Sequence, residues 1–166
     1  MQTTLKKIRA HSPCASGWTR LLTFLGKTKV DDEALLLSTV LQSNGLDDTL
    51  WCLQAVDGFE REKRLFAVWC ARQVQHLITD PRSLAALDVV EQFANGQASL
   101  GELGAANAAA NGAANAANAA WAADRAACIA ANATDRAASR ASQIQELKRV
   151  LACTEAGIDP YPPQKD

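Results

Sequence analysis

AANAAANGAANAANAAWAADRAACIAANATDRAASRA, residues 105–141, decides the fold class: more than half of the stretch is alanine, and the rest is chiefly Asn, Arg and Ser at helical spacing. Alanine is the strongest intrinsic helix former and its single methyl lets backbones approach closely, so the stretch predicts long helix able to pack against a neighbour. One straight helix from Leu100 to Cys153 would be about 80 Å long at 1.5 Å per residue, roughly twice the diameter expected of a compact domain of this length. A break is therefore expected, at Asn111-Gly112 or within residues 132–135, where Thr134 is placed to cap a new helix. A hairpin of two alanine-faced helices buries the small residues and resolves the length.

Outward from this tract, helix punctuation runs through the chain and strand signals are nearly absent: β-branched residues are sparse and no run alternates with period two. Ser12 before Pro13 reads as an N-cap with proline at the first helical position, and Gly26 closes that helix. Asp31 is expected to cap a helix over Glu33–Ser43, stopped by Asn44-Gly45. Asp47 or Asp48 starts the next, ending near Gly58. A helix follows from Phe59 to Ile78, with Leu65, Phe66, Trp69, Cys70 and Val74 on one stripe. Asp80 before Pro81 opens another that ends at Asn95-Gly96, and Ser99 with Glu102 forms a capping box. The segments Leu50–Val56 and Val68–Val74 each place a Trp and a Val five residues later, which predicts two helices of one antiparallel pair burying similar faces. The expected architecture is all-α: a multi-helix bundle over residues 1–98 with Trp18, Trp51 and Trp69 in its core, a long alanine-rich C-terminal helix or helical hairpin over 99–154, and a Pro-rich tail over 155–166.

Composition narrows the function classes. With 48% hydrophobic residues the chain can bury a core without disulfides or metal. Seventeen basic and eighteen acidic residues give a net charge of -1, which fits neither a protein that coats nucleic acid nor an acidic DNA mimic. The charge is segregated, however. Lys6, Lys7, Arg9, Arg20, Lys27 and Lys29 precede residue 31, while Asp31, Asp32, Glu33, Asp47, Asp48, Asp57, Glu60 and Glu62 follow it. This predicts adjacent helices of opposite surface charge. The competing reading of the basic segment is a nucleic-acid-associated regulator, although Trp18 is the one aromatic interleaved with those cations.

Five cysteines (Cys14, Cys52, Cys70, Cys128, Cys153) with no C-x-x-C pair read as small hydrophobes in a reducing compartment. With no signal-peptide core and no apolar window of about 20 residues, the location is expected to be cytoplasmic, without a membrane span. Metal and cofactors are not expected: His11 with Cys14, and Cys70 with His76, lack second pairs at ligand spacing. No nucleophile elbow or phosphate-cradling glycine loop is present, and the carboxylate clusters fall where helices begin, so the chain reads as a non-enzyme.

Projected at 100° per residue, Asn107, Asn111, Asn115, Asn118, Arg125, Asn132, Arg136, Arg140 and Gln143 lie in a band about 100° wide, opposite mostly alanine. Asparagine costs roughly several tenths of a kcal/mol relative to alanine in a helix, which suggests that the amides are used. Their short side chains donate and accept, as recognition of a partner requires. A solvated face and an internal amide network between helices are the competing readings, and pairing of the alanine faces between two chains would instead make a homodimer.

At Asn44–Leu53 (NGLDDTLWCL) and Arg64–Ser83 (RLFAVWCARQVQHLITDPRS), followed by the alanine tract, the chain resembles a group of uncharacterised alanine-rich phage and prophage accessory proteins. Their C-terminal halves are similar to those of proteins labelled as toxin-immunity proteins. The resemblance implies a small, cofactor-free, non-enzymatic helical binder: an inhibitor of phage or mobile-element origin that blocks a bacterial defence system in the manner of an anti-CRISPR protein, or alternatively a toxin-immunity protein. The implied partner is a protein, a host defence effector or a toxin. It supplies no catalytic residue to carry over.

Overall fold

The computed structural model describes residues 1–73, 75–78, 80–109 and 133–162. They are mostly helical, as the alanine content and the punctuation predict, and divide into two compact units: residues 1–59 with 146–160, and residues 60–145 with 161–166.

The first unit begins with a strand, β1 (Gln2–Thr3), and a short helix, α1 (Leu5–Ala10), capped by the Thr4 hydroxyl accepting from the Lys7 amide. Helix α2 (Ala15–Leu25) follows. Next come β2 (Leu35–Leu36), α3 (Leu37–Asn44), α4 (Leu46–Cys52) and a 3₁₀ turn over Leu53–Ala55. β1 and β2 pair antiparallel, Gln2 opposite Leu36 and Thr3 opposite Leu35. A helix over Ala133–Glu155 contributes its residues from Glu146 onward to this unit.

Four sequence expectations fail here, the simplest being that neither Asp47 nor Asp48 caps α4, which begins directly after Gly45 with both acids inside its first turn and ends at Cys52. Ser12 does not cap α2; it takes φ +57°, and the cap moves to Cys14, whose Sγ accepts from the Gly17 amide at 3.3 Å. Asp31 does not start a helix. Its carbonyl accepts from the Lys6 amide and its carboxylate from Lys27, so the segment is tied down as a loop and the helix begins only at Leu37. The near-absence of strand signals hid the β1–β2 ladder, whose two residues per strand are too few to show alternation. Gly26 and Gly45 stop α2 and α3 as expected, at φ +64° and +83°.

The core of this unit is aliphatic. Leu5, Ile8, Leu37, Val40, Leu147, Val150 and Leu151 are all but inaccessible, joined by Met1, Leu21, Leu35, Leu41, Leu46, Cys52, Ala55 and Val56. The spacing of Leu147, Val150 and Leu151 puts them on one helical face. Buried Thr3 and Thr49 are satisfied, donating to the Ala55 and Gly45 carbonyls respectively. No aromatic ring is among the buried residues described for this unit, so the expectation that Trp18 and Trp51 fill the core is corrected. Trp18 is half-buried and Trp51 is 36% exposed.

The second unit pairs α5 (Glu60–Gln73) with α6 (Pro81–Ala94). Arg61 reaches Asn95 at 3.0 Å, Arg64 lies over the Phe93 ring at 5.2 Å, and Arg72 bonds Asp88 and Glu91 at 2.5 and 2.9 Å. These contacts run in opposite chain directions, so the helices are antiparallel. Leu65, Phe66, Val68 and Ala86 are buried, whereas Trp69, also expected in the core, is half-buried and stacks on Phe66 at 6.4 Å between centroids. The matched Trp segments therefore serve different units: the partner of α5 is α6, not the helix carrying Trp51. The expected helix over Phe59–Ile78 is described as α-helix over Glu60–Gln73 and as a 3₁₀ turn over Gln75–Leu77. Asp80 caps α6 by accepting from the Arg82 amide, with Pro81 in the first turn, and Ser99 and Glu102 form the expected reciprocal box ahead of helical residues 100–109. The alanine-rich hairpin was expected on a tract of which 110–132 lie outside the described residues.

Two substitutions test this arrangement. Leu147→Ala, 1% exposed in the native state, is expected to cost about 2–5 kcal/mol by urea unfolding, against almost nothing if the C-terminal turns were not part of the core. Gly45→Ala meets no atom within 4 Å but must hold φ +83° and ψ −171°, so a loss of about 1–3 kcal/mol is expected from the backbone alone. An unchanged urea midpoint would contradict it.

Candidate functional site

The first unit carries a cleft of about 250 Å³. Ile8 of α1 and Val40 of α3 form apolar lining; Cys14, Gly17, Trp18 and Leu21 of the α2 region form one wall, and Asp47, Asp48, Trp51 and Cys52 of α4 another. Local sequence explains the placement. Asp47 and Asp48 precede Trp51 by four and three residues, so one face of α4 presents both carboxylates with the indole. They lie in the first turn of α4, where the helix dipole favours negative charge.

Close approach of α2 to α4 sets the polar part of the cleft. A Cβ on buried Gly17 would come within 2.6 Å of Asp48 Oδ2 and 3.1 Å of Cys14 Sγ, so only glycine fits without displacement. Asn44 Nδ2 donates to the Gly17 carbonyl at 2.8 Å and to Asp48 Oδ2 at 2.7 Å, fixing the amide and the carboxylate together. The rings are more open than this polar contact: Trp18 is half-buried and Trp51 exposed. The Arg9 guanidinium lies 5.6 Å from the Trp18 ring centroid, a cation–π contact.

The two thiols of the cleft differ in character. Cys14 is exposed, and hydrogen bonds from the Gly17 amide and Ser16 hydroxyl hold its pKa below the ordinary cysteine value. Burial pushes the Cys52 thiol up to about 12. Among the described residues no three His, Cys, Asp or Glu side chains gather as a metal would require, and no helix is long and apolar enough to cross a membrane.

The segregated charge folds onto itself. Lys6 pairs with Asp32 at 2.9 Å, Lys7 with Asp57 at 2.5 Å, and Lys27 with Asp31 and Glu33 at 2.5 and 2.6 Å. The acidic segment thus supplies counter-charges to the basic one, but from loops and not from an adjacent helix: Asp31, Asp32, Glu33 and Asp57 all lie outside the helices.

Of the residues proposed for recognition from the sequence, Asn107 is exposed on helical residues 100–109 and Arg140 is exposed on the helix over Ala133–Glu155. Gln143 is half-buried on that helix. Arg136 belongs to the same helix; Asn111, Asn115, Asn118, Arg125 and Asn132 lie outside the described residues. The tryptophan cleft was missed because both indoles were assigned to the core. The signal that could have found it is the Asp47, Asp48 and Trp51 spacing, which sets a large apolar ring beside two charges that resist burial.

Comparison with known proteins returns no match: no family model, no curated protein and no solved structure is similar to the chain.

The thiol environments give an ordered reactivity. In the native protein at pH 8, iodoacetamide is expected to label Cys14 well before Cys52, since at a pKa of about 12 roughly one Cys52 in ten thousand is a thiolate. Peptide mapping by mass spectrometry reads the order, and native labelling of Cys52 at a rate equal to Cys14 would contradict the packing of α4.

Proposed function

We propose that the chain acts by binding another protein and not by chemistry, as an inhibitor of phage or mobile-element origin that blocks a bacterial defence system in the manner of an anti-CRISPR protein. The observation that carries this reading is the position of Trp18 and Trp51: the described core of their unit is closed by aliphatic side chains, and the two largest apolar groups are spent on the walls of an open cleft. Exposed tryptophan is costly to leave in water and is the residue type most enriched at the energetic centres of protein interfaces. Arg9 holds half-buried Trp18 from within the chain, and it is the exposed Trp51 that contact with a partner would cover.

The polar seam from Asn107 to Arg140 is a second contact face for the same function, presented by the alanine-rich tract as a long helix or hairpin. Exposure of Asn107 and Arg140 agrees with that use. The nucleic-acid reading is weaker, because Lys6, Lys7 and Lys27 are engaged by carboxylates and binding phosphate would mean exchanging those pairs.

Affinity capture from a bacterial host with the full chain, followed by mass spectrometry, tests the proposal. A host protein retained by the unaltered chain is expected to be lost by at least tenfold on Trp51→Ala, with the thermal midpoint little changed. Loss instead on replacing Asn111, Asn115 and Asn118 by Gln would move the contact face to the seam. Absence of any saturable protein partner would overturn the proposal.

A further inference from the structure

The chemistry of the cleft in the first unit selects its occupant. At about 250 Å³ it is smaller than the roughly 300–1,000 Å³ of sites for drug-sized ligands, so it suits one inserted side chain better than a cofactor. Its two charged lining residues, Asp47 and Asp48, are both carboxylates, and its two aromatic lining residues are Trp18 and Trp51. An anionic group entering here would meet like charge. A purely aliphatic group would strip water from Asp48 without replacing it, which is unfavourable. A cation satisfies both demands, because indole faces attract positive charge and the Asp48 carboxylate can pair with it.

Between the two cationic side chains, the cleft favours arginine. A guanidinium is planar, stacks on an aromatic face and directs several donors at once, whereas an ammonium is a compact and more strongly hydrated charge. The chain contains its own instance of that contact in Arg9 over Trp18, from a residue that does not line the cleft. Asp48 is pre-positioned, since Asn44 and the tight contact at Gly17 hold its carboxylate before any ligand arrives. Pre-ordering of this kind lowers the cost of binding.

We infer that the cleft receives an arginine side chain presented by a partner protein. The inference rests on the protein-binding reading above and adds to it the chemistry of the residue that is recognised.

The test is a titration of the full chain, followed by NMR of the tryptophan indole N–H signals, with Nα-acetyl-argininamide and with its neutral isostere, Nα-acetyl-citrullinamide. The expected result is a shift of the Trp18 and Trp51 signals but not of Trp69, with a Kd of about 1 mM for the arginine compound and at least about tenfold weaker binding of the citrulline compound. Asp48→Asn is expected to remove that preference. If this variant fails to fold, Asp47→Asn, at an exposed position, serves as the second variant and is expected to reduce the preference. Equal binding of the two compounds, or unmoved Trp18 and Trp51 signals, overturns the inference. The two proposals fail separately: a captured partner that depends on Trp51 with no arginine preference sinks this inference alone, whereas arginine binding without any protein partner sinks the function proposed above.

Discussion

Everything described in the first unit depends on one constraint: the start and the end of the chain must share a single aliphatic core. Helix α1 has six residues and the β1–β2 ladder two per strand, and neither length is stable in water by itself. Their order comes from burial. Leu5 and Ile8 from the beginning of the chain and Leu147, Val150 and Leu151 from near its end are each 1% exposed. Complete burial of a Leu or Val side chain contributes about 1.5–3 kcal/mol, whereas the ion pairs that decorate the same segments are largely solvated and contribute little. The aliphatic contacts therefore hold the unit, and the Lys–Asp pairs mainly neutralise its surface.

That core explains why the cleft exists. Because its volume is filled by branched aliphatic side chains, the indoles of Trp18 and Trp51 have no interior place and line the groove formed by α1, α2, α3 and α4. Gly17 lets α2 come against Asp48, and Asn44 locks that contact by donating to both sides. Packing, cleft shape and the placement of charge thus follow from a few residues. The same few residues give the groove its combination of aromatic walls and carboxylates.

The sequence made much of the helical architecture legible, and the reasons are local. Gly26 and Gly45 supply the positive φ that ends a helix, Asp80 with Pro81 begins one, and Ser99 with Glu102 satisfies both ends of a box. What was not legible depends on distant partners. Asp31 has the chemistry of a cap, but the Lys6 amide claims its carbonyl across the fold while nearby Lys27 takes its carboxylate. Leu35 and Leu36 carry no strand pattern and become one because Gln2 and Thr3 lie opposite. Trp18 and Trp51 illustrate the same limit at the candidate site: hydrophobicity says that a tryptophan should be buried, and only the completed core reveals that the place is taken.

Hydrogen exchange measured by mass spectrometry is the most direct test of the shared core. Amides in α1 and in the C-terminal turns around Leu147–Leu151 are expected to exchange slowly and with one common opening free energy, as members of a single cooperative unit. Fast exchange of the C-terminal turns while α1 stays protected would contradict it, and with it the account of why the tryptophans stand outside.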